Sequence, residues 1–238
     1  MQSNHSHGSE EMFEHTEALV PQIIEHTEEY RHHPRGFGDR VAKTIVHITA
    51  RAADILFQSR YGHRAVVLET IAAVPGMVGG AFQHLKSLRG IKDDDGWIRT
   101  LLDEAENERM HLLIYSQLAR PTFFERVLIV MVQVIFFIIY TLLYLISAKT
   151  AHRTVGYFEE EAIHSYEHYA HLIATGVHEN IQATTLAQEY WGLSSTAKLS
   201  DVVEATIKDE MLHRDVNHRF ADNKRASVWN KKKQKTSA

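Results

Sequence analysis

Cysteine is absent from the 238-residue chain, which excludes disulfide frameworks, thiol nucleophiles, zinc–thiolate sites and iron–sulfur clusters. Any metal site must therefore use oxygen and nitrogen ligands. Only 4 prolines and 12 glycines occur, so long segments lack turn signals, which disfavours sandwiches and barrels and favours long helices. The formal net charge of −4 gives no general electrostatic basis for nucleic-acid binding, and we expect no nucleic-acid partner.

The two ends of the chain are polar. Residues 1–11 show neither the charged-then-apolar pattern of a secretory signal nor an Arg-rich transit peptide, so we predict that a leader was either removed or not needed. We expect three parts, namely a polar N-terminal arm at 1–36, a helical bundle domain at 37–222 and a basic C-terminal tail at 223–238.

Apolar residues recur at helical spacing over most of the chain, and no segment reads as a credible strand. The pattern predicts an all-α fold with a short segment at 179–191 and six longer helices, at about 39–59, 63–88, 93–119, 121–146, 150–175 and 200–222. Pro75 and Gly76 fall within the second helix and are expected to bend or interrupt it.

Almost every residue between Val127 and Ile146 is apolar, with Gln133 the polar exception. A helix of about twenty residues is long enough to cross the ~30 Å hydrocarbon core of a bilayer. Length alone does not separate a membrane span from the buried helix of a bundle, so the carboxylate pattern must decide between them.

Carboxylate and imidazole side chains form the strongest chemical pattern. Glu-x-x-His occurs at four places, which are Glu29/His32, Glu108/His111, Glu161/His164 and Glu210/His213. The first pair lies in a polar stretch without an apolar face and is set aside. The second and fourth pairs lie on helices whose apolar residues share their spacing, so all four side chains are expected to face inward.

The remaining pair differs, because the apolar stripe of its helix passes through Glu159 and leaves Glu161 and His164 on the wetter side. We therefore predict Glu159 as the inward acid of this helix. Glu69 is another inward acid, since its neighbours on the same helix face are alanine and valine. An unpaired buried carboxylate is costly, so these side chains need a cation.

In chain order, these residues form a lone Glu and a Glu-x-x-His pair, repeated once: Glu69, Glu108, His111, Glu159, Glu210 and His213. Ferritin-like di-iron bundles use this set of ligands. Four carboxylates and two imidazoles suit two iron or manganese ions better than zinc or calcium. A surface or ion-paired role would explain any one of them alone, but the order of all six favours a metal site.

The same assignment constrains the apolar run. It joins the two halves of the ligand set, so a helix that crossed a bilayer there would separate them. We therefore predict a crossover helix that is partly buried and dips into one leaflet. Together with the amphipathic first helix it gives a monotopic membrane face, at about 40–60 and 121–146.

The chain resembles the alternative oxidase family, the cyanide-insensitive quinol oxidases, over roughly 36–222. The motifs that carry the resemblance are Leu68-Glu69-Thr70 with 72–77, Asn107-Glu108-Arg109-Met110-His111-Leu112, 159–166, and Asp209-Glu210 with 213–218. The resemblance implies a ferritin-like four-helix bundle, a homodimer on one leaflet and two iron ions in each chain. It also implies that ubiquinol is oxidised while dioxygen receives four electrons and forms water, without proton pumping and with resistance to cyanide.

The resemblance also implies roles for particular side chains. A tyrosine one helical repeat after the third carboxylate acts as a local electron donor in the family, and here it is Tyr166. A packed core aromatic is the alternative. Quinol contacts are implied at Arg64, Leu68, Ala162 and Ser165, and less directly at Arg40. His152 matches a family histidine near the quinol site, although a core or capping histidine would explain it equally well.

Two departures from the family pattern concern regulation and location. Plant members carry a regulatory cysteine, so its absence predicts that thiol-linked control is missing. The short leader resembles that of bacterial members. We therefore expect a bacterial cytoplasmic membrane, or the mitochondrial inner membrane if a transit peptide was removed.

Three other functions remain open on the sequence. A di-iron hydroxylase acting on a quinone precursor would share the ligands and the membrane face, but it would insert oxygen into its substrate. A ferritin-like iron store would take up more than two irons per chain. A structural membrane-associated helical protein would tolerate changes at all six ligand positions.

Overall fold

Six α-helices make up the structure, a computed structural model that describes residues 31–57 and 61–236. They are α1 (Phe37–Phe57), α2 (Tyr61–Gly90), α3 (Trp97–Ala119), α4 (Phe123–Ala174), α5 (Thr185–Trp191) and α6 (Leu199–Thr236). The described residues contain no strand, and one isolated bridge pairs Gln182 with Lys198. The prediction of an all-α fold is confirmed. Most of the predicted N-terminal arm, residues 1–30, lies outside the described residues.

Helix α2 continues through Pro75, where the sequence predicted a bend or an interruption. Proline removes one backbone hydrogen bond of the helix at this turn. A Cβ at Gly76 would lie only 2.3 Å from the carbonyl oxygen of Leu101, so the missing side chain lets α3 come close to α2. The burial gained by this close packing explains why the helix runs on.

The two helices that the sequence predicted at 121–146 and 150–175 are both present, as the two halves of α4 on either side of a break. Thr122 begins it with a capping box, in which Thr122 and Glu125 each bind the other's backbone N–H. A single break occurs at Ser147, whose φ of −155° and ψ of 91° are not helical. The Ser147 hydroxyl accepts from the backbone N–H of Thr150 at 3.2 Å and so caps the second half locally.

The ligand-bearing helices pack as a bundle in which α2 contacts α3 and α4, and α4 contacts α6. One core cluster takes a side chain from each of them, namely Val66, Tyr115, Tyr166 and Val203. Helix α1 lies against α4. Burial of these apolar faces is the main contribution to the stability of such a bundle.

Two helices, Gly62–Gly90 and Phe123–Ala174, are long and apolar enough to cross a membrane by length and composition. They differ in burial, because the most apolar window of the first is 67% buried and that of the second is 11% buried. The first is therefore a core helix of the bundle. The second leaves large apolar side chains uncovered before Ser147, among them Val130, Ile135, Ile138, Leu142 and Ile146.

A buried cluster of charged side chains joins α1, α4 and α6. The Arg153 guanidinium lies 3.3 Å from Asp39 of α1, forms an ion pair with Asp222 of α6 and contacts His218 Nδ1 at 2.8 Å. Guanidinium groups only donate, so His218 Nδ1 must accept and carries no proton. A Cβ at Gly156 would lie 2.4 Å from that nitrogen, so only glycine allows this approach.

The same cluster binds the segment before α1. The backbone N–H of His32 donates to Glu160 Oε1 at 2.7 Å, and His218 Nε2 lies 3.0 Å from the same oxygen. His32 Nδ1 lies 3.0 Å from the Tyr157 hydroxyl, and the His32 ring stacks on His218. His32 is thus buried in a structural contact, apart from the six predicted ligands.

Candidate metal centre

Four helices bring the six predicted ligands into one buried space. Helix α2 carries Glu69, α3 carries Glu108 and His111, α4 carries Glu159, and α6 carries Glu210 and His213. All six side chains are buried. Ligand atoms of four of them, Glu69, Glu108, His111 and Glu210, lie within 4.8 Å of one another and could hold a metal ion.

Both imidazoles face the carboxylates through Nδ1. His111 Nδ1 lies 3.4 Å from Glu69 Oε2 and 3.3 Å from Glu210 Oε1. His213 Nδ1 lies 2.7 Å from Glu108 Oε1 and 3.2 Å from Glu210 Oε2. The remaining acid, Glu159, lines the same cavity as Glu69 and Glu210.

Four carboxylates and only two imidazoles share this space, so negative charge exceeds positive charge. Burial and then repulsion from Glu108 raise the pKa of Glu69 well above its usual value. Burial would lower the pKa of both imidazoles, but the carboxylates around them raise it well above the usual value. A space of this kind attracts positive charge, either as protons or as metal cations.

Several potential metal-donor atoms of the ligand set lack other hydrogen-bond partners, which also suits a metal site. Glu69 Oε2, both carboxylate oxygens of Glu108 and His111 Nδ1 are buried, and apart from their close approaches within the ligand set they have no hydrogen-bond partner within the described part of the chain. Such atoms are costly unless something binds them. Oxygen and imidazole nitrogen are the donors that iron and manganese accept in carboxylate-bridged bundles.

A second layer of side chains orients His111. Its Nε2 lies 3.0 Å from Asp209 Oδ2, and the same oxygen accepts from Asn107 Nδ2 and from Trp191 Nε1, each at 2.9 Å. A carboxylate behind an imidazole fixes the ring orientation and raises its basicity as a ligand. Asp209 was not among the residues predicted from the sequence. Its position directly before Glu210 in the fourth motif was the available signal.

A cavity adjoins the ligand set on the side of α1, α2 and α4. Four of the predicted quinol contacts line it, namely Arg64, Leu68, Ala162 and Ser165, together with Tyr166. The Tyr166 hydroxyl donates a hydrogen bond to Glu69 Oε1. Glu161 also lines this cavity, although its place on the wetter side of the helix gave it no predicted role. His164 is exposed, as that side predicts.

The structure does not place the other two predicted quinol contacts in this cavity. His152 is fully buried, with Nδ1 3.1 Å from Asn217 Oδ1 and Nε2 3.4 Å from the Tyr144 hydroxyl. Seven residues, about two helical turns, separate His152 from Glu159, so His152 sits on another level of the bundle. Arg40 is exposed in the first turn of α1, far along that helix from the cavity-lining Thr49 and Ala50.

Comparison with known proteins gives the family. A family model described as "Alternative oxidase" matches residues 21–222. The mitochondrial ubiquinol oxidase of Mangifera indica is 52% identical over 193 residues, which are 81% of this chain and 61% of that protein. Ubiquinol oxidase 2, mitochondrial, of Arabidopsis thaliana is 51% identical over 193 residues, 81% of this chain and 55% of that protein.

A relative outside the plants is equally similar. The mitochondrial ubiquinol oxidase of Batrachochytrium dendrobatidis is 51% identical over 189 residues, 79% of this chain and 60% of that protein. The chain therefore spans 55–61% of the length of these three relatives. All three relatives are named as mitochondrial proteins, so the expectation of a bacterial cytoplasmic membrane is wrong. The short leader was a poor guide to location. The matched residues include the whole ligand set and the cavity, and the chain belongs to the alternative oxidase family.

Proposed function

We propose that this chain is a ubiquinol oxidase that reduces dioxygen to water, without proton pumping and with resistance to cyanide. The observation that carries the proposal is the meeting of four carboxylates and two imidazoles beside a cavity lined by Tyr166. The relatives named ubiquinol oxidase support the choice of substrate.

Glu69, Glu108, His111, Glu159, Glu210 and His213 are the proposed ligands of two iron ions. When bound, the iron supplies the site for dioxygen binding and reduction. The protein contributes a buried space from which water is largely excluded, and Asp209 holds His111 in its orientation.

The electron balance needs two quinols for each dioxygen. Each ubiquinol gives two electrons and two protons as it becomes quinone, so two quinols and one dioxygen yield two quinones and two waters. Tyr166 is the proposed local donor, since its hydroxyl can release a hydrogen atom beside Glu69 and a quinol can restore it. Glu69 Oε1 accepts a hydrogen bond from the Tyr166 hydroxyl and so holds the phenol in place.

The quinol head is proposed to bind in the cavity. Arg64, Ser165 and Glu161 are among the polar groups of its lining, and Leu68, Ala162 and the other apolar side chains suit a ring with a hydrocarbon tail. Polar groups at a few fixed points in an apolar cavity set the orientation of a ligand. Thr49 and Ala50 extend the lining to α1, so the cavity also borders the apolar surface of that helix.

We further propose that the chain lies on one leaflet of a mitochondrial membrane. The first half of α4 exposes Val130, Ile135 and Ile138, and α1 exposes Ile48 and Ile55. Exposed apolar surface of this extent is typical of a membrane or protein interface. The run joins ligand-bearing helices, so spanning would divide the metal site. This face and the bundle behind it correspond to the proposed domain at 37–222, between an arm at 1–36 and a tail at 223–238.

A homodimer is the proposed assembly. Helices α2 and α3 present a second set of exposed apolar side chains, namely Met77, Leu85, Leu88, Leu102 and Leu113. These belong to α2 and α3 and are separate in sequence from the apolar run of α4. A second copy of the chain would cover them without obstructing the leaflet.

The test is oxygen uptake by the purified, iron-loaded chain with a short-tailed ubiquinol, in the presence of cyanide. We expect two quinols consumed per dioxygen and water as the product. Recovery of labelled oxygen in the organic product would instead show a hydroxylase. Uptake of many irons per chain without quinol oxidation would show an iron store.

A further inference from the structure

A buried chain of hydrogen bonds crosses the bundle beside the metal centre and takes a residue from each of the four ligand-bearing helices. It contains Gln83 of α2, Tyr144 and His152 of α4, Asn217 of α6 and Glu104 of α3. All five side chains are buried. Such a long series of buried polar groups is stable only when every member has a hydrogen-bond partner, so the donor and the acceptor of each bond can be assigned.

The direction of each hydrogen bond follows from the acceptor at one end. Asn217 Nδ2 lies 3.0 Å from Glu104 Oε1 and 2.9 Å from Oε2, and it must donate because it also contacts the carbonyl oxygen of His213, which only accepts. Asn217 Oδ1 must therefore accept from His152 Nδ1, at 3.1 Å, which fixes the tautomer of His152. His152 Nε2 then accepts from the Tyr144 hydroxyl at 3.4 Å.

The Asn217 amide also contacts the ligand segment of α6. Its Nδ2 lies 3.0 Å from the carbonyl oxygen of His213, one turn earlier in the same helix. Burial raises the pKa of Glu104 to about 7, and the nearby His213 is the charge that most opposes this rise. Glu104 thus interacts with His213 through charge, and Asn217 contacts it through the backbone carbonyl.

The two imidazoles are supported differently. His111 has the Asp209 carboxylate directly on its Nε2. His213 has Nδ1 toward Glu108 and Glu210, and the described residues place no comparable carboxylate hydrogen bond on its other nitrogen. Glu104 is a further buried carboxylate, joined to the backbone of His213 through the Asn217 amide.

We propose that Glu104 and Asn217 are positioning residues for His213, holding its turn of α6 and supplying the counter-charge that Asp209 supplies to His111. This inference rests on the proposed role of His213 as a ligand. The series of hydrogen bonds does not conduct protons through Asn217, because the side-chain amide has no proton of suitable acidity. Its task is orientation, with the His152 imidazole holding the amide oxygen from the far side.

The experiment measures iron release from the iron-loaded full chain to a chelator, by amount and by rate, in Asn217→Ala, Glu104→Gln and Tyr144→Phe. Glu104→Gln keeps the volume and removes the charge. Tyr144→Phe removes one hydroxyl from the same hydrogen-bond chain, three hydrogen bonds away from Glu104. We expect the first two variants to weaken the binding of one of the two irons by roughly 10- to 100-fold, as measured for supports of metal ligands. Tyr144→Phe should stay within about two-fold of the parent for both irons.

Thermal unfolding of the metal-free chains separates positioning from general stability. Asn217→Ala and Tyr144→Phe both remove buried hydrogen bonds, so similar losses of unfolding temperature with different iron release support the proposal. Equal iron release in all three variants, from a parent that holds two irons, would overturn it and leave the proposed function standing. A parent chain that binds no iron would overturn both.

Discussion

Tyr166 of α4 donates a hydrogen bond to Glu69 of α2 while its ring lines the cavity. One side chain thus touches both the ligand set and the proposed quinol site. The Tyr166 ring also stacks on Tyr115 with centroids 5.4 Å apart, which limits its movement. Burial and then the Glu69 carboxylate raise the pKa of Tyr166 well above its usual value, so the phenol keeps its proton at rest.

Glu108→Ala and Glu210→Ala should each abolish oxygen consumption and lower bound iron. Each carboxylate lies against both imidazoles, and water cannot replace its charge and geometry. Iron per chain and quinol-dependent oxygen uptake are the measurements. The matched control is Glu106→Ala, which removes a carboxylate of α3 that pairs with Arg109 near the surface. Full activity in either ligand variant would reject the assignment.

The spacing of apolar residues along each helix made most of the proposed metal ligands predictable from the sequence. Apolar spacing distinguished Glu159 from Glu161, and the structure puts Glu159 beside Glu210 and Glu108 in electrostatic range. The same spacing treated Glu161 as a wet-side residue, yet it lines the cavity. A helix face shows which side is buried but not whether a neighbouring helix leaves a gap there.

Features that depend on contacts between distant segments could not be predicted in this way. Asp209 acquires its role only when α5 brings Trp191 to it and α3 brings Asn107. The two halves of α4 were predicted as separate helices, but the exact position of the break at Ser147 was not, because no glycine or proline marks it. His32 appeared to lie in a featureless polar stretch, and it becomes buried because α4 and α6 place Tyr157 and His218 around it.

The segment before α1 should loosen on acidification. Burial first, then the Arg153 charge, lower the pKa of His32 to about 4, so the folded chain keeps this ring neutral below the usual value of 6.5. Between pH 6.5 and about 4 the unfolded chain binds the proton more readily, so the contribution of His32 to stability falls as the pH falls. Asp39 and Asp222 act in the opposite direction on His32, and His218 acts with Arg153.

The measurement compares urea unfolding of the parent and His32→Gln at several pH values from 7.5 to about 4.5. Groups remote from His32 titrate equally in both proteins, so the difference reports on His32 and its contacts with His218 and Arg153. We expect the parent to lose more stability than the variant over this range. Parallel curves would show that His32 does not titrate with folding.

Loops on the two sides of the apolar run should face the same side of the membrane. The α2–α3 connection exposes Ile91, and the segment after α4 exposes Val177. Protease sites inserted at each position are therefore expected to be cut, or protected, together in sealed vesicles. Cleavage at one position only, with the other cut after the vesicles are opened, would show that α4 spans the bilayer.

Tyr166→Phe should keep the fold and two irons per chain while losing nearly all quinol oxidation. The apolar ring remains, and the loss of one buried hydrogen bond costs only about 1–3 kcal/mol of unfolding free energy. Phenylalanine can donate neither the electron nor the proton that the mechanism requires of this position.

The control for this variant must be a buried tyrosine away from the cavity. Tyr169 lies three residues along the same helix but lines the cavity, so Tyr169→Phe would affect quinol binding as well. Tyr140 suits better, because it is 1% exposed and its hydroxyl has no hydrogen-bond partner among the described residues. Tyr140→Phe should leave activity nearly unchanged. If Tyr166→Phe instead oxidised quinol at the parental rate with normal iron content, Tyr166 would be a packing residue and another group would have to supply the electron.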